Sequence, residues 1–103
     1  MQLIWFQTLE KTNPSAWVYA IMSTVDRIGG LRVVIYPNDH RPAHVHVIGN
    51  GCEAVFKLNC PEGPPELREN YSFPASELSK IKAALAERTA HLCAEWSRIH
   101  ELP

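Results

Sequence analysis

No apolar stretch in this chain approaches the roughly 20 residues that a membrane-spanning helix needs, and its start lacks a basic segment followed by an apolar run. These absences predict a soluble protein that is not exported and makes no membrane contact. Neither sign of charge is in excess, with 10 Lys+Arg against 11 Asp+Glu, so no global basic field holds nucleic acid non-specifically. Any contact with RNA must use a local patch. Cysteine is scarce: Cys52, Cys60 and Cys93 are odd in number and form no C-x-x-C pair, which argues against a disulfide framework and an all-cysteine zinc site. The expected setting is reducing and cytoplasmic. There is no internal repeat and no low-complexity segment. At 103 residues the chain suits one small domain with its own core, so a bound metal serves function rather than folding.

What the chain does have is concentrated in Asp39-His40-Arg41-Pro42-Ala43-His44-Val45-His46, which holds three of the five histidines. Imidazole titrates nearest neutrality and is the commonest neutral metal ligand, so proton transfer, metal binding and anion binding all become candidates here.

The surrounding residues read as sheet. Leu31 to Tyr36 is rich in β-branched residues and ends at Pro37; Ala43 to Ile48 follows; Gly49-Asn50-Gly51 signals a hairpin, and Glu53 to Leu58 returns. A two-residue Asn50-Gly51 turn sets Gly49 opposite Cys52, Val47 opposite Ala54, His46 opposite Val55, Val45 opposite Phe56 and His44 opposite Lys57. This register separates apolar from polar faces in both strands at once, which a one-residue slip destroys. Extended to the first strand, it places Val34 across from His46 and Tyr36 across from His44, joined by a loop from Pro37 to Ala43. Val33, Ile35, Val45, Val47, Ala54 and Phe56 then form the core face. Arg32, Tyr36, His44, His46, Glu53 and Lys57 share the other, interrupted by Val34, Ile48 and Val55.

On either side the texture changes. Met1 to about Ile28 shows no clean period and reads as a short strand around Leu3 to Phe6 followed by a loose linker. Beyond Asn59, the Pro-rich Cys60 to Pro65 is a rigid loop, Glu66 to Tyr71 is a turn or short strand, and one long helix starts near Pro74 and continues towards His100. Leu78, Ile81, Leu85, Leu92, Trp96 and Ile99 make its apolar stripe, with Arg88 in the gap. About 26 helical residues span roughly 40 Å, longer than a small sheet covers, so a dimer or a partner protein is expected. The fold class is α+β, a three- to four-stranded antiparallel sheet packed on a long C-terminal helix. Cys93 reads as a small buried hydrophobe.

The segment from Gly30 to Val47, with its D-H-x-P-x-H-x-H pattern, resembles a short bacterial family known as domain of unknown function 4160. Gly63-Pro64, Leu67-Arg68-Glu69 and Leu92-Cys93-Ala94-Glu95-Trp96 look like the C-terminal half of the same family, so the resemblance covers about Ser23 to His100. It implies a component of a two-gene toxin-antitoxin-type pair, with a small cognate protein as partner and no settled activity to carry over. Ala43 stands where many relatives have a second proline. Such proteins usually begin a few residues before the segment matching Thr24 to Arg27, and Met22 sits there. Residues 1–22 are therefore expected to be an N-terminal extension, translated from upstream of the true start or added in this lineage, with residues 23–103 forming the domain.

Three readings of the histidine cluster stay open. His44 and His46 project from one strand face with Cβ atoms roughly 7 Å apart; with His40 from the loop, and Asp39 as a fourth ligand or orienting partner, they are candidate ligands for a divalent transition metal such as zinc. Without metal, His40, His44 and His46 are candidate general acid and base for phosphodiester hydrolysis of RNA, with Tyr36, Arg41 and Lys57 binding the substrate or its anion and Arg32 nearby. In the third reading Asp39 only closes a turn, the two histidines are half-buried on a covered face, and the chain is a non-catalytic interaction module.

Overall fold

The computed structural model describes residues 24–101 of the chain. The expected strand around Leu3 to Phe6 and the whole of the expected extension, residues 1–22, lie outside these residues. Five strands form one antiparallel meander in the order β1(Thr24–Ile28), β2(Leu31–Val34), β3(His44–Gly49), β4(Cys52–Lys57), β5(Glu66–Tyr71), followed by α1(Ala75–Ala86) and α2(Thr89–Glu101). The α+β class stands, but among the described residues the sheet has five strands rather than the three or four expected. Residues up to Ile28 are not all linker: Gly29-Gly30, with Gly29 at φ 58°, is a hairpin turn that pairs Ile28 with Leu31 and adds β1 at the edge.

The β3–β4 register is the expected one at every position from Gly49↔Cys52 to His44↔Lys57. Asn50 and Gly51 both take positive φ, 54° and 75°, as a primed two-residue turn requires. Beside it, a Cβ on Gly49 would stand 2.6 Å from the end of the Leu31 side chain and 3.3 Å from its Cα, so a larger residue there displaces Leu31. Val34 does pair with His46. The expected pairing of Tyr36 with His44 is not made, because β2 ends at Val34 and the Tyr36 amide is used elsewhere: its N–H donates to the Asp39 carboxylate at 3.3 Å, and its carbonyl accepts from Asp39 N–H at 3.0 Å. The connecting loop therefore starts at Ile35 rather than Pro37.

The single long helix is replaced by two, of 12 and 13 residues. No proline or glycine marks the break. At the joint the Thr89 hydroxyl donates to the Leu85 carbonyl at 3.2 Å, the local competition by which Ser and Thr disturb helical bonding. Arg88 turns back to β1, donating to the Arg27 carbonyl at 2.7 Å and meeting the Asp26 carboxylate at 3.3 Å. The single helix of roughly 40 Å whose overhang pointed to a second chain is thus absent. Both helices still use the expected stripe: Ile81, Leu85, Leu92 and Trp96 join Val33, Ile35, Val45, Val47, Ala54, Phe56 and Leu58 in the core, with Leu78 and Ile99 packed at its margin.

Two cysteines also depart from expectation. Cys60, after β4, and Cys93, in α2, form a disulfide across 33 positions, a pairing that spacing along the chain does not reveal. Cys52 alone keeps its thiol.

Candidate functional site

Strand alternation sends His44 and His46 to the same side of β3, opposite Val45 and Val47. The loop then brings Asp39 over them, held by its two hydrogen bonds with the Tyr36 backbone. Asp39 Oδ2 lies 3.3 Å from His44 Nε2 and 3.2 Å from His46 Nε2. The other nitrogen of each ring is committed: His44 Nδ1–H donates to the Pro42 carbonyl at 2.8 Å and His46 Nδ1–H to Glu53 Oε2 at 2.9 Å. A carbonyl and a carboxylate only accept, as does Asp39, and the shorter contacts, at 2.8 and 2.9 Å, favour the proton of each neutral imidazole on Nδ1. Both Nε2 lone pairs then face the same carboxylate oxygen. Acceptors do not attract one another, and the arrangement calls for a cation or protons at its centre.

The site is shielded. His44 is 6% exposed, and its ring lies 5.2 Å from the Trp96 indole and 5.3 Å from the His46 ring. The Tyr36 ring meets His46 edge-on at 4.9 Å. Burial, the Glu53 carboxylate and, more weakly, Asp39 push the Tyr36 phenol above its usual pKa, while Arg32 pulls it back. The phenol therefore stays protonated through the neutral range. Val34 and Val55, the apolar residues interleaved on this face, are 0% and 4% exposed, so the face is largely closed rather than open to a substrate.

The expected residues divide. Asp39, His44 and His46 come together, with their ligand atoms all within 4.8 Å of one another. His40 stays outside that group, exposed on the loop. Tyr36 borders the group, and Lys57 sits across from His44 in the ladder but pairs with Glu66 at 3.8 Å. Arg41 is exposed and lines a surface cavity with Pro42, Ala43, Asn59 and Cys60. Arg32 donates to the Thr24 hydroxyl at 3.2 Å.

Three contributors were not legible as site residues. Glu53 was placed on the right face, and its register position diagonal to His46 was the available signal. Trp96 and His100 read as core and helix end. In the fold the two rings stack with centres 3.7 Å apart, and His100 Nδ1–H donates to the Trp96 carbonyl at 2.9 Å. Trp96 Nε1 and His100 Nε2 are buried without a hydrogen-bond partner among the described residues, so this end of α2 is polar as well as apolar where it meets His44.

Among the described residues, no helix is long and apolar enough to cross a membrane. No curated protein and no solved structure matches the chain. A family model described as Domain of unknown function (DUF4160) matches residues 30–97, which include every residue of the histidine cluster, and on that match the chain belongs to this family.

Proposed function

We propose that this chain is a divalent-metal-binding protein whose ion is held by Asp39 Oδ2, His44 Nε2 and His46 Nε2. The observation that carries the reading is the approach of both Nε2 atoms to one Asp39 carboxylate oxygen, at 3.3 and 3.2 Å, while each Nδ1 faces an acceptor of its own. A metal roughly 2.1 Å from each ligand places neighbouring ligand atoms about 3.0–3.4 Å apart in octahedral or tetrahedral geometry; Asp39 Oδ2 stands at 3.2 and 3.3 Å from the two nitrogens. The Nδ1–H bonds to Pro42 and Glu53 are the outer contacts that orient metal-bound histidines and raise their basicity. Imidazole nitrogens favour Zn²⁺, Fe²⁺ or Co²⁺ over Mg²⁺ or Ca²⁺. Three protein ligands leave at least one coordination position for water or an incoming anion.

The family resemblance adds a biological setting: a cytoplasmic member of a two-gene toxin-antitoxin-type pair, acting with a small cognate protein or as a homodimer. A metal-assisted RNA hydrolase is the second reading, favoured by Lys57 in the row through His44. Burial of His44 weighs against direct access by a polymer.

The test is metal analysis of protein purified without a polyhistidine tag, followed by titration with Zn²⁺. About one ion per chain is expected, lost in His44→Ala and His46→Ala. Wild-type protein that neither carries nor takes up a transition metal overturns the proposal. Co-purification with the product of the adjacent reading frame tests the pairing, and RNA cleavage abolished by chelator tests the hydrolase.

A further inference from the structure

We propose that the Cys60–Cys93 disulfide is a redox control on the Asp39–His44–His46 site, such that reduction by a thiol weakens metal binding. The proposal rests on the metal reading above and adds its regulation. The two cysteines belong to the two segments that flank His44. Cys60 shares the wall of a cavity with Arg41, Pro42 and Ala43; the Pro42 carbonyl sets the His44 tautomer at 2.8 Å, and Ala43 is tied to the strand leading to Cys60 by the Leu58 N–H at 2.9 Å. Cys93 lies one turn before Trp96 in α2, whose indole flanks the same imidazole at 5.2 Å. The disulfide therefore clamps the carbonyl side and the indole side of one ligand together. With the clamp closed, His44 is held ready for the ion; with it open, α2 is free to shift, and part of the binding free energy goes into restoring that order.

The chemistry is ordinary exchange. Cys60 is exposed and Cys93 half-buried, so the thiolate of an external dithiol attacks Cys60 Sγ, the protein S–S bond breaks, and Cys93 leaves as a thiolate that takes up a proton. The second thiol of the reductant then attacks the mixed disulfide and releases Cys60. Two electrons and two protons pass to the protein, and the reductant departs as its own disulfide. Intracellular disulfides are characteristically transient and redox-sensing, which suits an accessible bond beside a ligand.

The experiment is titration of the untagged full-length protein with Co²⁺, whose visible spectrum distinguishes nitrogen and oxygen ligands from thiolate. It is run on oxidised protein, on protein reduced with a phosphine, and on the Cys60→Ser/Cys93→Ser variant. Affinity is expected to fall at least tenfold on reduction and to match that lower value in the variant, which no longer responds to reductant. Equal affinity within twofold in oxidised and reduced wild type overturns the redox control while leaving the metal site intact. A rise on reduction accompanied by a thiolate band also overturns it. Absence of binding in the oxidised protein overturns the metal reading itself. Comparing the two states of wild type keeps the test decisive even where the double variant does not fold.

Discussion

Asp39→Asn separates a metal site from a structural ion pair, because the two accounts assign different costs to it in the metal-free protein. In the metal account, Asp39 Oδ2 faces two Nε2 lone pairs at 3.2 and 3.3 Å and gains only the Tyr36 N–H at 3.3 Å. An asparagine amide nitrogen in the same place presents N–H donors to those nitrogens but gives up the bond that Oδ2 accepts from the Tyr36 N–H. The two changes offset, so the metal-free variant stays close to wild type in stability, yet it has lost the only anionic ligand. In the ion-pair account the histidines are charged, and removing the carboxylate costs about 1.5–3 kcal/mol as charge-assisted hydrogen bonds are lost. The assay is thermal unfolding with and without Zn²⁺. A ligand at 100 times its Kd stabilises by about 2.7 kcal/mol, and for a domain of this size each kcal/mol moves Tm by roughly 4–8 °C. Wild type should therefore gain about 11–22 °C with saturating Zn²⁺ and the variant far less. A variant that melts lower than wild type without metal, together with a wild type unmoved by Zn²⁺, refutes the reasoning.

Glu53→Ala leaves all three ligands in place but frees His46 Nδ1 from its partner at 2.9 Å, and should weaken metal binding about 10–100-fold in calorimetric titration. Cys93→Ser opens a loop closed across 33 positions; the chain-entropy relation puts the loss of stability near 3–4 kcal/mol, measured by denaturant unfolding of oxidised protein. The Arg98 guanidinium, which donates to Glu95 at 2.7 Å, holds that carboxyl below its usual range. A depressed folded-state pKa contributes stability above the unfolded value and loses it as pH falls through the folded one. The stability gap between wild type and Glu95→Gln should therefore narrow on acidification below about pH 4.5, whereas a constant gap across that range would show that the pair does not contribute.

How much of the fold and site is legible in the sequence depends on the range of the interactions that fix it. The β3–β4 register followed from Asn50-Gly51 and period-2 alternation, so the shared face of His44 and His46 followed too. Asp39 was legible as a neighbour of that face, since it lies a few residues from both. Gly29-Gly30 carried the same hairpin signal, and β1 went unread because its strand, Thr24–Ile28, is short and mixed in polarity. The break at Glu87 and Arg88 had no proline or glycine to announce it, and the apolar stripe runs on through it at nearly constant phase.

Local pattern by itself determined the hairpin, the core face and the presence of a histidine cluster, because turn chemistry and side-chain alternation act between residues near in sequence or in register. Tertiary structure alone decided which cluster members meet. It drew Asp39 inward through the Tyr36 backbone and left His40 outside. It supplied Pro42 to orient the His44 ring, set Trp96 against His44, and joined Cys60 to Cys93. Each of these depends on where a loop or a helix comes to rest on the sheet, which is settled by packing of the whole core and leaves no period or spacing in the chain.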